Sequence, residues 1–316
     1  MKKILVVEYS QTGQLTAVLD AMLAPLQQPE SGVRVDREIL RPLPPYPYPW
    51  PFWQFLDAFP ETVAGDPPAL APLAVDPAAE FDLVIIGYPV WFLSPPPPIT
   101  AFLRSETGRR LVRGRPVVTV TACRNMWLMA QETMKQLLAD AGARHCDHVA
   151  LVDQGNAFAT FVTTPRWLLT GRKEAFWVFP PAGVPAAEIA ASRRFGLALR
   201  EGLQRDAEQQ PGPMLHGLRA CLVDPRLIAS ETVGRRSFRV WARILRRAGR
   251  PGTPLRRAAL AFYLVFLLSL IITVVPLSVL LKTALRPLLR RRLNTLQVSF
   301  EQPSGSATSR MASFHE

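Results

Sequence analysis

The chain has 316 residues, enough for one α/β domain of about 200 residues and a further segment. Its charge is uneven: residues 1–210 hold 20 Lys/Arg and 21 Asp/Glu, whereas residues 211–316 hold 17 and 4. The basic residues flank a long apolar run, which favours a membrane-facing segment over a nucleic-acid-binding one. Three cysteines without a Cys-x-x-Cys pair exclude a disulfide framework, and four histidines form no recognisable metal site.

The first 27 residues predict a strand, a tight loop and a helix. Residues 3–9 are a short apolar run rich in β-formers, and apolar residues then recur at helical spacing from Leu15 to Leu26. Loop amides and the positive end of the helix dipole would meet at one spot, where a phosphate can bind. The loop has neither a Lys after its glycine nor a GxGxxG pattern, which excludes triphosphate and dinucleotide loops. A phosphate monoester bound by hydroxyls and amides fits best.

The segment from Tyr9 to Gln14 resembles the phosphate loop of flavodoxin-like proteins, which binds the phosphate of FMN. An ordinary strand-to-helix turn is the alternative. The resemblance implies a cofactor site made by these residues: Ser10, Gln11, Thr12, Gly13, Gln14 and Leu15. Residues 3–9 leave no room for a signal peptide, so we expect the first domain to stay in the cytoplasm.

Residues 41–53 carry a proline at nearly every second position, which favours an extended, polyproline-like path. Seven aromatic residues lie between residues 46 and 59, among them Trp50 and Trp53. They would either wall a pocket for a flat apolar substrate or form a satellite cluster packed on the domain.

Residues 81–87 are nearly all apolar, as in a central parallel strand covered on both faces. The loop that follows resembles the proline-and-tryptophan loop of NAD(P)H-dependent quinone reductases with the flavodoxin-like fold. The resemblance implies that Pro89, Val90, Trp91 and Phe92 lie against the flavin ring, with NAD(P)H as co-substrate. An aromatic packing corner is the alternative.

A fourth strand is predicted at residues 115–121, and the loop after it should reach the same edge of the sheet. We therefore assign Cys123, Arg124 and Asn125 to the cofactor site. Asn125 is equally suited to capping the next helix, and Cys123 fits a packed thiol better than a nucleophile because no base is placed beside it. A fifth strand follows at residues 148–153, with His145 and His148 interpreted as solvated residues at its start.

An aromatic-rich connection over residues 154–184, including Phe158, would cover the site or dock on lipid, and a last helix is predicted at 186–206. We place the end of the flavodoxin-like domain at residue 210. Residues 211–257 read as a basic linker with an amphipathic helix at 237–248, suited to an anionic lipid surface. Residues 258–281 are long and apolar enough to cross a bilayer. Residues 282–316 read as basic, then disordered over the last fifteen.

The predicted fold is α/β: a flavodoxin-like five-stranded parallel sheet in the order 2-1-3-4-5 with helices on both faces, followed by the amphipathic and transmembrane helices. The loops after the first and fourth strands, together with the anchor, are also similar to membrane-anchored bacterial flavodoxin-like proteins called dialkylresorcinol condensing enzymes. That likeness suggests a role in aryl-lipid or polyene biosynthesis. It does not imply carbon–carbon condensation, for which no oriented nucleophile is present.

The function that these features favour is a membrane-anchored FMN-dependent NAD(P)H oxidoreductase with a lipophilic quinone-like or aryl-lipid acceptor. It would sit on the bacterial inner membrane with its flavin domain in the cytoplasm. The alternatives are a one-electron flavodoxin-type carrier for a membrane partner, and an aryl-lipid biosynthesis protein without redox turnover. Reductases of this fold are often dimers, so the resemblance also implies a homodimer.

Overall fold

A computed structural model describes residues 1–153 and 155–314 of the chain. For residues 157–158 and 274–292 it describes the helical path and not the side chains. Phe158, the far end of the predicted span at 274–281 and the basic side chains between 282 and 292 therefore lie outside the described side chains.

The chain alternates strands and helices through its first two-thirds. The strands are β1 (Lys2–Glu8), β2 (Val33–Ile39), β3 (Pro42–Leu43), β4 (Ala69–Leu70), β5 (Leu83–Tyr88), β6 (Pro116–Cys123) and β7 (Arg144–Val152). The helices are α1 (Gln14–Leu23), α2 (Phe52–Ala64), α3 (Pro97–Arg104), α4 (Glu106–Val112), α5 (Leu128–Asp140), α6 (Ala157–Thr170), α7 (Ala186–Ala191), α8 (Arg193–Gln204), α9 (Pro225–Arg247) and α10 (Pro254–Glu301).

Five strands form one parallel sheet in the order β2-β1-β5-β6-β7. Numbered along the chain, these five strands give the predicted order 2-1-3-4-5, so the predicted flavodoxin-like fold is confirmed. Every residue of β5 and β6 is buried, as expected for strands covered on both faces.

Successive side chains along β1 point to opposite faces of the sheet and pack into two separate core layers. Ile4 and Val6 of β1 pack with α1 and α8 on one face, whereas Leu5 and Val7 pack with α3 and α5 on the other. Since all five strands are parallel, the carboxyl ends of β1, β5, β6 and β7 lie at one edge of the sheet. The loops that the sequence singled out leave from that edge.

The core continues beyond the predicted domain end at residue 210. Met214, Leu215 and Leu218 belong to the same core layer as β1. The buried Asp147 carboxylate accepts hydrogen bonds from the backbone N–H groups of Met214 and Leu215, at 2.8 and 3.1 Å. The core therefore extends past the predicted boundary at residue 210.

Helix α9 contains the predicted amphipathic helix but begins twelve residues earlier. Its apolar face contacts protein: Phe238 packs edge-on against Phe59 of α2 (ring centroids 5.1 Å apart), and Trp241 packs on Tyr263 of α10 (5.0 Å). Leu245 on the same face is fully buried. This face, predicted to lie on lipid, is thus covered by α2 and α10.

The start of helix α10 packs against α2, and the residues that follow its end pack against the sheet. One helix of the described chain is long and apolar enough to cross a membrane, over Pro254–Thr273. Beyond it, the Ser304 hydroxyl donates to Asp147 (2.7 Å) and accepts from the backbone N–H of His148 (2.8 Å). Arg219 donates its backbone N–H to the Ala307 carbonyl at 2.7 Å. The predicted disorder is wrong for residues 302–314, which pack on β7 and its neighbours.

Candidate functional site

Loops from four strands meet at the carboxyl edge of the sheet. Short backbone bonds tie them together: the N–H of Tyr9, after β1, donates to the Gly87 carbonyl at 3.2 Å. The N–H of Asp153, after β7, donates to the Cys123 carbonyl at 3.0 Å. The geometry is that of an open α/β sheet, in which ligands bind beyond the strand ends.

The loop between β1 and α1 has the backbone of an anion site. Gly13 has φ of 78° as the residue before α1, and its carbonyl accepts the first intrahelical bond, from Ala17 N–H at 3.0 Å. The N–H groups at Gln14, Leu15 and Thr16 therefore have no intrahelical acceptor. A Cβ built on Gly13 would meet nothing within 4 Å, so the space in front of the loop is open.

Ser10 supplies the most telling atom of this loop. Its Oγ is buried and has no hydrogen-bond partner among the described residues. A buried hydroxyl without a partner costs about 1–3 kcal/mol, so such an atom calls for a bound group. The half-exposed Thr12 lies two residues on, whereas the Leu15 side chain is in the core and only its backbone is available.

The two glutamines of the loop hold neighbouring segments. Gln11 donates through Nε2 to the Pro47 carbonyl (2.8 Å) and accepts from the Tyr9 hydroxyl (3.1 Å). Gln14 accepts from the Val184 backbone N–H at 2.7 Å. Their side chains thus hold the proline-rich loop and residue 184 around the site, and direct contact of these two residues with a cofactor stays a prediction.

A cluster of four rings, the aromatic cluster, stands beside the phosphate loop. It comprises Tyr9, Tyr46, Trp50 and Trp91, with the Trp91 ring 5.7, 5.1 and 5.4 Å from the other three in that order. All three contacts of Trp91 are edge-on. Trp53, one of the seven aromatic residues between 46 and 59, is not part of this cluster: it is 39% exposed on α2, and its ring contact in the described chain is Phe52.

The loop after β5 sends its side chains in different directions. Trp91 and Ser94 exchange two backbone hydrogen bonds of 2.9 Å, closing a tight turn in which Phe92 has φ of 49°. The Phe92 ring lies against α2, 5.2 Å from the rings of both Phe55 and Phe59, so only the backbone of Phe92 stays a predicted flavin contact. Val90 packs between two core clusters. The half-buried Pro89, Trp91 and the backbone of the loop remain candidates for contact with a flavin ring.

Arg124, after β6, lies under helix α6. Its Nε donates to the Thr160 hydroxyl at 2.8 Å, and its guanidinium lies 3.9 Å from the centre of the Phe161 ring. Burial lowers the pKa of Arg124 to about 10, so the group stays protonated at neutral pH. It places a positive charge at the carboxyl edge.

The neighbours of Arg124 have structural surroundings. Burial raises the pKa of the Cys123 thiol well above its ordinary value, which disfavours a thiolate and agrees with a packed side chain. Asn125 does not cap the next helix, because α5 begins at Leu128 with Trp127 in the capping position. Asn125 therefore stays a predicted ligand contact.

The sequence did not reveal a buried polar network behind the loops. The Thr119 hydroxyl lies 2.9 Å from both His145 Nε2 and His148 Nδ1, and Tyr88 donates to Gln131 Oε1 at 2.5 Å. Burial lowers the pKa of His145 to about 4. His148 is fully buried, so its interpretation as a solvated residue is wrong, whereas His145 is half-buried. Within the described residues no group of three metal-ligating side chains occurs.

Asp153 is a further residue of the site that the sequence analysis did not name. An acidic residue at a strand end, followed two residues later by Gly155, is a pattern that could have indicated a functional loop. Its carboxylate accepts from the backbone N–H of Gly155 (2.8 Å) and of Gly183 (2.7 Å). Gly183 lies against Gln14 and Trp167, where any Cβ would clash. Asp153 therefore closes the aromatic-rich connection over the phosphate loop.

No family model and no curated protein matches the chain. Solved structures that it resembles include a flavoprotein in complex with FMN from Lactobacillus acidophilus, at 17% identity and a TM-score of 0.39, over 48% of this chain and 93% of that one. A WrbA-like flavodoxin from Agrobacterium tumefaciens is 12% identical, with a TM-score of 0.35, over 65% of this chain and 99% of that one. A flavone reductase is 11% identical, with a TM-score of 0.36, over 67% of this chain and 66% of that one. The strand order β2-β1-β5-β6-β7 is by itself that of the flavodoxin-like fold.

Proposed function

We propose that the protein is an FMN-dependent NAD(P)H oxidoreductase, attached to a membrane, with a lipophilic quinone-like or aryl-lipid acceptor. The observation that carries the proposal is the unpartnered Ser10 hydroxyl at the start of α1, beside an aromatic cluster at the carboxyl edge. A phosphate supplies the acceptor that this hydroxyl lacks, and a flat ring system suits the neighbouring aromatic rings.

The residues present fit FMN at both of its ends. Ser10, Thr12 and the free N–H groups of the first turn of α1 would hold the phosphate without a cation. Trp91 and the backbone of residues 89–92 would flank the ring, and Arg124 would offset negative charge at the ring or on a nicotinamide cofactor. When bound, FMN supplies hydride acceptance and donation, and the protein supplies orientation and charge.

A lipophilic acceptor is supported by the aromatic residues beside the proposed flavin site. The aromatic cluster joins the proline-rich loop to α6, because the Trp50 backbone N–H donates to the Leu168 carbonyl at 2.8 Å. An apolar ring entering between these two elements would gain about 25 cal/mol per Å² of buried apolar surface. A hydrophilic acceptor would gain little there.

Absorbance and anaerobic stopped-flow kinetics test the flavin and its chemistry. The purified protein should show the visible absorbance of bound flavin, which NADH or NADPH should bleach without an intermediate donor. A lipophilic quinone should restore the absorbance faster than a hydrophilic one. Reduction by one-electron donors alone would favour the carrier function, and a protein that binds no flavin would overturn the proposal.

Membrane attachment is supported by the exposed apolar surface of α10. Phe262 and Ile272 are 66% and 72% exposed. Both ends of this helix nevertheless contact one domain: Arg256 bonds Asp57 and Glu61 of α2, and the residues after Glu301 bond β7. A single crossing by residues 258–281 would separate these ends. We therefore propose that residues 1–257 and 294–314 lie on the same, cytoplasmic side of the inner membrane.

Cysteine labelling tests this one-sided arrangement. In spheroplasts, a membrane-impermeant maleimide should label an Ala312→Cys variant only after the membrane is opened, since the native cysteines are all buried. Labelling of intact spheroplasts would place the tail outside and contradict the arrangement. Recovery of the full-length protein in the soluble fraction of lysed cells would contradict membrane attachment and leave the flavin proposal unaffected.

A further inference from the structure

A cavity of about 190 Å³ lies between α2, α3, α5 and α9, with Phe92 of the loop after β5 in its wall. Three arginines line it: Arg104, Arg235 and Arg239. Arg104 donates to the Gly65 carbonyl, and Arg235 donates to the Met129 carbonyl (3.2 Å) and the Thr133 hydroxyl (2.9 Å). These acceptors are neutral, and none of the three arginines forms a salt bridge with a carboxylate in the described part of the chain.

The positive charge around this cavity is concentrated. Arg239 also lines a second groove, whose other basic residues are Arg243, Arg246 and Arg247 of α9. Arg246 pairs with Asp66 at 2.8 Å, which leaves the rest of the groove without a carboxylate partner among the described salt bridges. Burial and the charge of Arg239 lower the pKa of Arg235, and the negative charge of Glu132 opposes this shift. An anion between these guanidinium groups would relieve their repulsion.

We propose that the arginine-lined cavity binds the phosphate of an anionic phospholipid headgroup. The planar guanidinium fork matches phosphate oxygens better than an ammonium does, and three arginines line this cavity. Phe92, Val63 and Phe238 supply apolar wall for the glycerol part of a lipid. The adjoining groove runs along α9, which packs against the exposed apolar helix α10. The lipid source rests on the proposed membrane attachment; the anion site rests on the arginines alone.

The full-length protein in a nonionic detergent tests the site through its thermal unfolding midpoint. The probes are a short-chain phosphatidylglycerol, a short-chain phosphatidylcholine and inorganic phosphate. We expect phosphatidylglycerol to raise the midpoint, with apparent affinity at least about tenfold weaker in the Arg235→Gln, Arg239→Gln double variant. Arg236→Gln, an equal charge change at an exposed position on the same helix, should bind as the wild type does.

One further variant and the two other probes separate the possible outcomes. If the double variant is unstable, the single Arg239→Gln variant takes its place. Arg239 is exposed, so this variant should fold normally, and we expect it to bind phosphatidylglycerol more weakly than the wild type does. Equal affinity in the wild type and both cavity variants would overturn the site. Equal stabilisation by inorganic phosphate would keep an anion site and overturn its assignment to lipid. Equal stabilisation by phosphatidylcholine would overturn the requirement for an anionic headgroup. None of these readouts depends on bound flavin.

Discussion

The effect of Ser10→Ala on the free energy of unfolding tells whether the Ser10 hydroxyl binds a ligand or supports the fold. Its buried hydroxyl lacks a partner in the described chain, so Ser10→Ala should leave the free energy of unfolding of flavin-free protein unchanged or raise it by about 1 kcal/mol. Ser31→Ala is the matched control, because the Ser31 hydroxyl donates to Leu26 at 2.7 Å and accepts from Val33 at 3.1 Å. Denaturant unfolding should show a loss only for Ser31→Ala. A similar loss for both would make Ser10 structural.

Glu231 should make stability depend on pH. Its buried carboxylate accepts from the Met129 backbone N–H at 3.1 Å, and burial raises its pKa from 4.5 to about 8. Between these values the folded protein holds a proton that the unfolded chain has lost. Stability is therefore lost as pH rises through this window, at up to about 1.4 kcal/mol per pH unit. Glu231→Gln cannot ionise and should flatten the slope measured between about pH 5.5 and pH 8. An unchanged slope would contradict this account.

At the scale of elements, Arg256 fastens α10 to α2. Its guanidinium is buried and bonds Glu61 Oε1 (2.8 Å), Glu61 Oε2 (2.5 Å) and Asp57 Oδ1 (2.9 Å). Arg256→Ala leaves two carboxylates without their partner and should destabilise the protein by about 3–5 kcal/mol. Adding Asp57→Asn and Glu61→Gln should recover part of that loss. Thermal unfolding in detergent measures both, and full additivity of the three losses would contradict the ion-pair explanation.

How far the sequence predicts an element depends on whether its partners are local. The parallel strands and the phosphate loop follow from periodicity and turn residues, so the sheet order and the position of Gly13 were predictable. The apolar face of α9 looked like a lipid-binding face because its partners, Phe59 and Tyr263, are far away in the chain. Periodicity identifies an apolar face and cannot say what covers it.

The same limit explains the errors at the site. The direction of Phe92 depends on a left-handed turn between Trp91 and Ser94, which no residue type in that stretch announces. The network of Thr119 with the two histidines joins neighbouring strands and is invisible in a single strand. By contrast, Ser10 and Trp91 come directly after strand ends, where the parallel topology fixes their position.

For the whole molecule, the C-terminal segment is part of the fold. Truncation after Gln210 removes Met214, Leu215 and Leu218 from the core, so we expect it to give aggregated protein. A stop after Leu293 keeps these three residues and removes every contact of residues 294–314, including the Ser304 bonds to Asp147 and His148, so we expect a loss of more than about 3 kcal/mol. Urea unfolding of the longer variant, with Ser313→Ala at an exposed position as control, measures the loss. A soluble, cooperatively folded 1–210 fragment would restore the boundary at residue 210.

The central claim is that the loop from Ser10 to Leu15 holds the phosphate of FMN. Its most direct test is a fluorescence titration of FMN into the purified full-length protein and into the Ser10→Ala, Thr12→Ala double variant. The wild type should bind one FMN, and the double variant should bind more weakly by about 1–3 kcal/mol for each lost hydrogen bond, with riboflavin affected far less because it has no phosphate. Equal FMN affinity in the two proteins, or no FMN binding by the wild type, would contradict the account.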